Sequence, residues 1–164
     1  MELKKHLNLR FVFVGLYLVA FLAFLIYGLQ PAEAAEAYEI DGELLIPSIG
    51  LEADVTKLEL EEGGLQTPST IAGSYTRFDN KTLLIGHSTT VFTDLEDVKI
   101  GDEIKYNEKV YKVQRIDLLV KDKIDMDELL KASEKDTLVI MTCAGKLLDG
   151  GDATHRLIIT ASSE

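Results

Sequence analysis

From Glu43 onward the apolar positions fall in short runs, several with a period of two. Leu44-Leu45-Ile46 is a brief apolar stretch stopped by Pro47. Beyond it Ile49, Leu51, Ala53 and Val55 alternate with Gly50, Glu52 and Asp54, the pattern of a strand with one face buried. Glu61-Glu62-Gly63-Gly64 reads as a turn, and Thr82–Ile85 as a compact apolar strand ended by Gly86-His87. Phe92, Leu95 and Val98 recur at helical spacing, which predicts a short helical turn within Val91–Val98. Glu103–Tyr106 and Lys109–Ile116 predict a hairpin around Asn107-Glu108. Asp125–Lys131 has its acids first and its base last, as a helix of one or two turns should. Thr137–Thr142 is a hydrophobic strand that runs straight into Cys143. After a loop rich in Gly and Asp, Arg156–Ala161 forms the last strand. Many short strands with little helix predict a mainly β domain, either a barrel or a sandwich.

The first thirty residues follow a different rule. Phe11 to Leu29 carries no charge; at about 1.5 Å per residue in a helix it spans roughly 28 Å, near the hydrocarbon thickness of a bilayer. Lys4, Lys5 and Arg10 precede it, and Glu33, Glu36 and Glu39 follow. The positive-inside bias then puts the N-terminus in the cytoplasm and the rest outside. The expected organisation is a cytoplasmic tail and transmembrane anchor over 1–30, a linker over 31–40 and a folded domain over 41–164. That is a single-pass protein of the cell membrane with an extracellular domain. A cleavable signal peptide is the rival reading, since Ala32-Glu33-Ala34 and Ala35-Glu36-Ala37 both have the small-x-small form of a cleavage site. Both readings export the domain.

Charge narrows the partners. The 164 residues include 17 basic and 28 acidic side chains, for a net charge of −11. Only Lys4, Lys5, Arg10 and Glu2 of these precede Gln30, so the exported part is more acidic still. Such a domain repels phosphate backbones, which argues against a nucleic-acid partner. One Cys excludes an intramolecular disulfide and leaves two readings for Cys143, a small buried hydrophobe or a reactive thiol.

A reactive thiol needs a neighbouring base or cation, and acyl transfer needs a group to hold the developing oxyanion. Of the three His residues, His6 lies before the apolar segment. His87 sits past a strand end between Gly86 and Ser88, where small neighbours admit a ligand. His155 precedes Arg156 in the last strand, so the two should face opposite sides. His87, Cys143 and Arg156 together supply base, nucleophile and oxyanion donor. Each also has a plain reading: a turn histidine, a core cysteine, a strand arginine paired with a local acid.

Four segments in series resemble one known family, the sortases. Gly-Glu-Leu-Leu-Ile-Pro-Ser-Ile-Gly-Leu-Glu-Ala-Asp-Val at 42–55 is similar to their opening strands. Leu84-Ile85-Gly86-His87-Ser88, then Phe92 and Leu95, then Val98-Lys99-Ile100-Gly101-Asp102-Glu103-Ile104, resembles their catalytic-histidine segment and the strand after it. Val139-Ile140-Met141-Thr142-Cys143 resembles the end of their nucleophile motif, and Arg156-Leu157-Ile158-Ile159 falls where the family keeps its arginine. The likeness covers roughly residues 42–164. It departs where the family usually has Thr-Leu and this chain has Val139 and Ile140, and in the modest segment Lys121–Lys135 between the strands that frame the family's groove.

What the resemblance implies is an eight-stranded β-barrel with a few short helices, preceded by one transmembrane helix, acting as a cysteine transpeptidase. Cys143 would form a thioacyl-enzyme with a sorting motif near the C-terminus of a secreted protein. His87 would handle the proton of the departing and incoming amines, Arg156 would hold the oxyanion, and Thr142 would contact substrate. The acceptor amine would come from a cell-wall precursor or a pilin lysine. No cofactor is required, although calcium activates some members. Two alternatives stand beside this. One is an L,D-transpeptidase, whose Cys motif has a nearby upstream His and Gly that Met141-Thr142-Cys143 lacks. The other is a non-catalytic, membrane-tethered β-barrel that binds a partner, or an inactive relative, with Cys143 buried and His87 and Arg156 far from it.

Overall fold

Two apolar triplets, Leu83-Leu84-Ile85 and Leu138-Val139-Ile140, are buried along their whole length. A strand with no polar alternation has to be covered on both faces, and parallel neighbours are the usual place for one. The computed structural model, which describes residues 37–148 and 152–163, places them so. The strands are β1 (Ile40–Ile46), β2 (Leu51–Lys57), β3 (Ala72–Phe78), β4 (Lys81–Ile85), β5 (Glu103–Tyr106), β6 (Lys109–Val120), β7 (Thr137–Leu147) and β8 (Ala153–Ser163). They close into a barrel in the order β1-β2-β3-β4-β7-β8-β6-β5, with β5 returning to β1. β2 with β3 and β4 with β7 pair in parallel; the other pairs are antiparallel. The expected anchor at 1–30 and residues 31–36 of the linker lie outside the described residues. Among the described residues no helix is long and apolar enough to cross a membrane.

The interior is filled from every strand, by Leu44, Ile46, Val55, Leu84, Ile104, Val113, Leu138, Ile140 and Ile159 among others. Phe92, Leu95 and Val98 join that core from the segment after β4, where turns and a 3-10 turn at Leu95–Asp97 replace a regular helix. Their three-residue spacing suits a 3-10 turn as well as an α-helix, so the periodicity predicted the buried face correctly. A second apolar cluster lies on the outer face of β4, β7 and β8, formed by Leu83, Ile85, Val139 and Ile158 with Leu130. Leu58 and Leu65 from the β2–β3 connection pack on it. So do Ile124, Met126 and Leu129 from the short helix α1 (Met126–Leu129) and the residue run before it.

Local signals explain the joints. Asp125 caps α1, its side chain accepting from the Asp127 and Glu128 backbone N–H groups. Asn107 takes the left-handed conformation in the β5–β6 turn, at φ 54°. Its side-chain oxygen accepts from Glu43 N and its own N–H donates to Glu43 O, tying the hairpin to β1. The pattern missed one strand and drew another too short. β3 was not foreseen, because Ala72-Gly73-Ser74 is small and partly polar and shows no alternation. The helix expected within Asp125–Lys131 is present as a single turn, Met126–Leu129, held by packing on the sheet rather than by its own length. β7 does not end at Thr142 but continues to Leu147, because pairing with β8 persists after β4 has stopped at Ile85.

Ile140 is fully buried at the centre of the barrel. Ile140→Ala is expected to lower stability by about 2–5 kcal/mol, read from the urea midpoint at unchanged slope. A loss under about 1 kcal/mol would mean that the barrel interior is not the main core.

Candidate active site

Strand parity sorts the residues of β7 into two sets. Leu138 and Ile140 point into the barrel, and Val139 and Met141 point outward, so Cys143 continues the outward row. In β8 the interior row is Ile159 and Ala161, and the outward row contains Ile158 and Arg156. Cys143 and Arg156 are direct partners in the β7–β8 ladder. Paired residues of adjacent strands sit about 4.5–5.5 Å apart at Cα, so these two side chains leave the same face side by side.

The third group arrives from the other flank. β4 pairs with β7 from Lys81↔Thr137 to Ile85↔Met141. The same offset continued past the end of β4 brings Gly86 level with Thr142 and His87 level with Cys143. A hydrogen bond marks that continuation: the buried Thr142 hydroxyl donates to the Gly86 carbonyl at 2.7 Å, across a separation of 56 residues. Thr142 is only 4% exposed, and it lines the groove described below while its hydroxyl is engaged with backbone. Gly86 is required by space. A Cβ there would lie 2.5 Å from Val91 Cγ1 and 2.7 Å from Phe92 Cε2. The glycine lets the aromatic core residue pack directly on the backbone that presents His87.

Cys143 in β7, Arg156 in β8 and His87 two residues past the end of β4 therefore lie in one row, and all three line one groove of about 590 Å³. Its walls are apolar over much of their length, with Leu60 and Leu65 from the β2–β3 connection, Tyr75 from β3, Ile85 and Met141 from the sheet, and Met126 and Leu130 from the α1 region. Arg77 and Asp127, which pair with each other, also line it. Cys143 is partly exposed and free. His155 does not line the groove; its Nδ1 lies 2.8 Å from Thr154 Oγ1, and it pairs with Ala144 in the ladder. The expected opposition of His155 and Arg156 is observed.

Arg156 is 15% exposed and held at several points. Nη1 donates to the carbonyls of Ala153 and His155 at 3.0 Å each, and Nη2 to Asp152 Oδ1 at 2.7 Å. Asp152 is bonded in turn by Lys121 Nζ through its other oxygen. The Lys121 ammonium, and after it the Arg156 guanidinium, hold the Asp152 carboxyl well below the usual carboxylate range. Neither Asp152 nor Lys121 stood out in the sequence. They sit in two different connections and meet only because β6 and β8 are paired up to Val120↔His155. Among the described residues, no three of His, Cys, Asp and Glu are arranged to hold a metal ion.

Comparison with known proteins points one way. The Sortase domain family model matches residues 44–164. Sortase C2 of pilus island 1 from Group B Streptococcus is similar at 25% identity, over 79% of this chain and 77% of its own, with a TM-score of 0.59. Sortase C-1 from Actinomyces oris shares the fold at 22% identity, over 76% of this chain and 72% of its own, also at 0.59. Sortase A of Listeria monocytogenes does so at 16% identity, over 76% and 87%, again at 0.59. No curated protein sequence matches the chain.

The Thr142 hydroxyl offers a direct test of how the row is held. Thr142→Val keeps the shape and removes the donor to the Gly86 carbonyl. It is expected to cost about 1–3 kcal/mol in urea unfolding, with Thr142→Ser retaining most of the stability. Unchanged stability in the valine variant, accompanied by weaker peptide binding, would make Thr142 a substrate contact instead.

Proposed function

The chain belongs to the sortase family, and on that premise we propose that it is a membrane-anchored extracellular transpeptidase using Cys143, His87 and Arg156. Membership carries cysteine transpeptidase chemistry at the level of the family. The observation that supports its assignment to these residues is the row itself. One ladder pairs Cys143 with Arg156, and the register of the other, marked by the Thr142–Gly86 bond, brings His87 level with Cys143.

In this reading a C-terminal sorting motif of a secreted protein lies in the groove with its scissile carbonyl over Cys143. The sulfur, as thiolate, adds to the carbonyl carbon, and the C=O electrons move to oxygen. The Arg156 guanidinium faces that oxyanion, where charge develops and a preformed donor is worth most. As the tetrahedral species collapses, the C–N bond breaks and the protonated His87 ring gives its proton to the departing amine. The product is a thioacyl-enzyme. An incoming amine then adds to the thioester carbonyl, His87 removes its proton, and the C–S bond breaks to restore the thiolate. The acceptor belongs to a cell-wall precursor or a pilin lysine. The similar structures include both a sortase A and a pilus-island sortase. Each step is assigned to side chains of the chain, with no cofactor.

A tethered binding barrel would have no reason to bring a free thiol, an imidazole and a guanidinium to one groove. The experiment that separates the two readings is intact-mass analysis of the full-length chain in detergent with a panel of sorting-motif peptides. A thioacyl adduct on Cys143, with release of the peptide's C-terminal part, is expected for the unaltered chain. His87→Ala and Arg156→Ala are each expected to form it at least about 100-fold more slowly. No adduct from any peptide, with a thiol that resists alkylation in the folded protein, would favour the binding module.

A further inference from the structure

Resting on the role just given to Arg156, we propose that Asp152 is a positioning residue that sets the plane of the Arg156 guanidinium, with Lys121 holding Asp152 in place. A guanidinium has five N–H donors in a rigid fork. Nη1 spends its pair on the Ala153 and His155 carbonyls, both from the same arm of the β7–β8 hairpin. Those two bonds to neutral carbonyls hold one arm of the fork. The bond from Nη2 to Asp152 Oδ1 is charge-assisted and holds the other arm. Nε–H and the second Nη2–H then have no partner among the described residues, and the side chain lines the groove beside Cys143. Two free donors are what an oxyanion requires.

The carboxylate is itself pinned. Oδ1 also accepts from Ala153 N at 2.8 Å, and Oδ2 accepts from Lys121 Nζ. Lys121 opens the 3-10 turn that follows β6, so the trio locks the exit of β6 to the entry of β8. Charge explains why both cations are needed. A carboxylate paired with Arg156 alone would cancel the charge that attracts the oxyanion. Shared with Lys121, it leaves the trio with a net positive charge, and Arg156 is its member that lines the groove. The positions of Lys121 and Asp152, near half exposure, mean that these pairs add little to global stability. Their effect is on the aim of one side chain.

The test uses the full-length chain in detergent and two readouts. The first is the 15N and 1H NMR signature of the Arg156 side chain, assigned through Arg156→Ala, which requires no activity. Restricted rotation of the guanidinium is expected in the unaltered protein, fast rotation in Asp152→Ala, and intermediate behaviour in Lys121→Met. The second is the rate of thioacyl formation with the peptide that acylates the unaltered chain. Asp152→Ala is expected to slow it by about 10- to 100-fold, the size of effect that a small misplacement produces, and to leave the melting temperature nearly unchanged. It should slow the Arg156→Ala variant no further, whereas a merely structural role would act on both backgrounds alike. An Arg156 fork as restricted in Asp152→Ala as in the unaltered chain would overturn the proposal, and so would additive losses. Failure of every peptide to acylate the unaltered chain would count against the enzymatic reading alone, because the NMR readout still decides whether Asp152 orients Arg156.

Discussion

The parallel ladder between β4 and β7 is the constraint on which the candidate site depends. Side chains alternate along a strand, so a slip of one residue would send Cys143 into the barrel and Thr142 out of it. Nothing in the isolated strands forbids such a slip. What forbids it is burial on both faces. Leu84, Leu138 and Ile140 belong to the interior, while Leu83, Ile85 and Val139 belong to the outer cluster, and neither set can change sides without exposing or overfilling a core. The hydrogen bond from Thr142 to Gly86 carries the same alignment one residue beyond the end of β4. His87 then leaves the strand at the level of Cys143.

That arrangement gives the outer cluster two jobs. It closes the second face of the central strands, and its uncovered margin becomes the wall of the groove. Ile85, Met141 and Leu130 are at once core neighbours and lining residues. The α1 region and the β2–β3 connection supply the opposite walls, and both are held to the sheet by the same apolar contacts. Packing and substrate cleft are one structure, so changes to these side chains act on stability and specificity together.

Electrostatics work against the background of an acidic surface. A chain with 28 acidic and 17 basic side chains has many carboxylates available to capture an arginine. Arg156 avoids indiscriminate pairing by being mostly buried and by spending its donors on two backbone carbonyls and one carboxylate. That carboxylate is claimed by Lys121 as well. The partners are fixed by the ladder between β6 and β8, a more durable determinant than the charge of a loop.

Much of this was legible in the residues. The apolar run of β1, the period-two run of β2, the Asn107 turn, the Asp125 cap and the buried face of Phe92, Leu95 and Val98 follow from local rules of backbone geometry and burial. The mainly β class followed from them, and the three reactive residues stood out because a lone thiol, a histidine among small residues and a strand arginine are few in this chain. Closure into a barrel, the parallel pairings and β3 were not legible by those rules, since each depends on segments distant in sequence and β3 lacks alternation. The same holds for the meeting of His87, Cys143 and Arg156, for the second role of Thr142 and for Asp152. The sequence by itself determined which residues could do chemistry and which faces had to be buried, because those are properties of side chains and their spacing. Only the tertiary structure decided which of them share a face and what holds them there, because strand register is set by two cores filling at once.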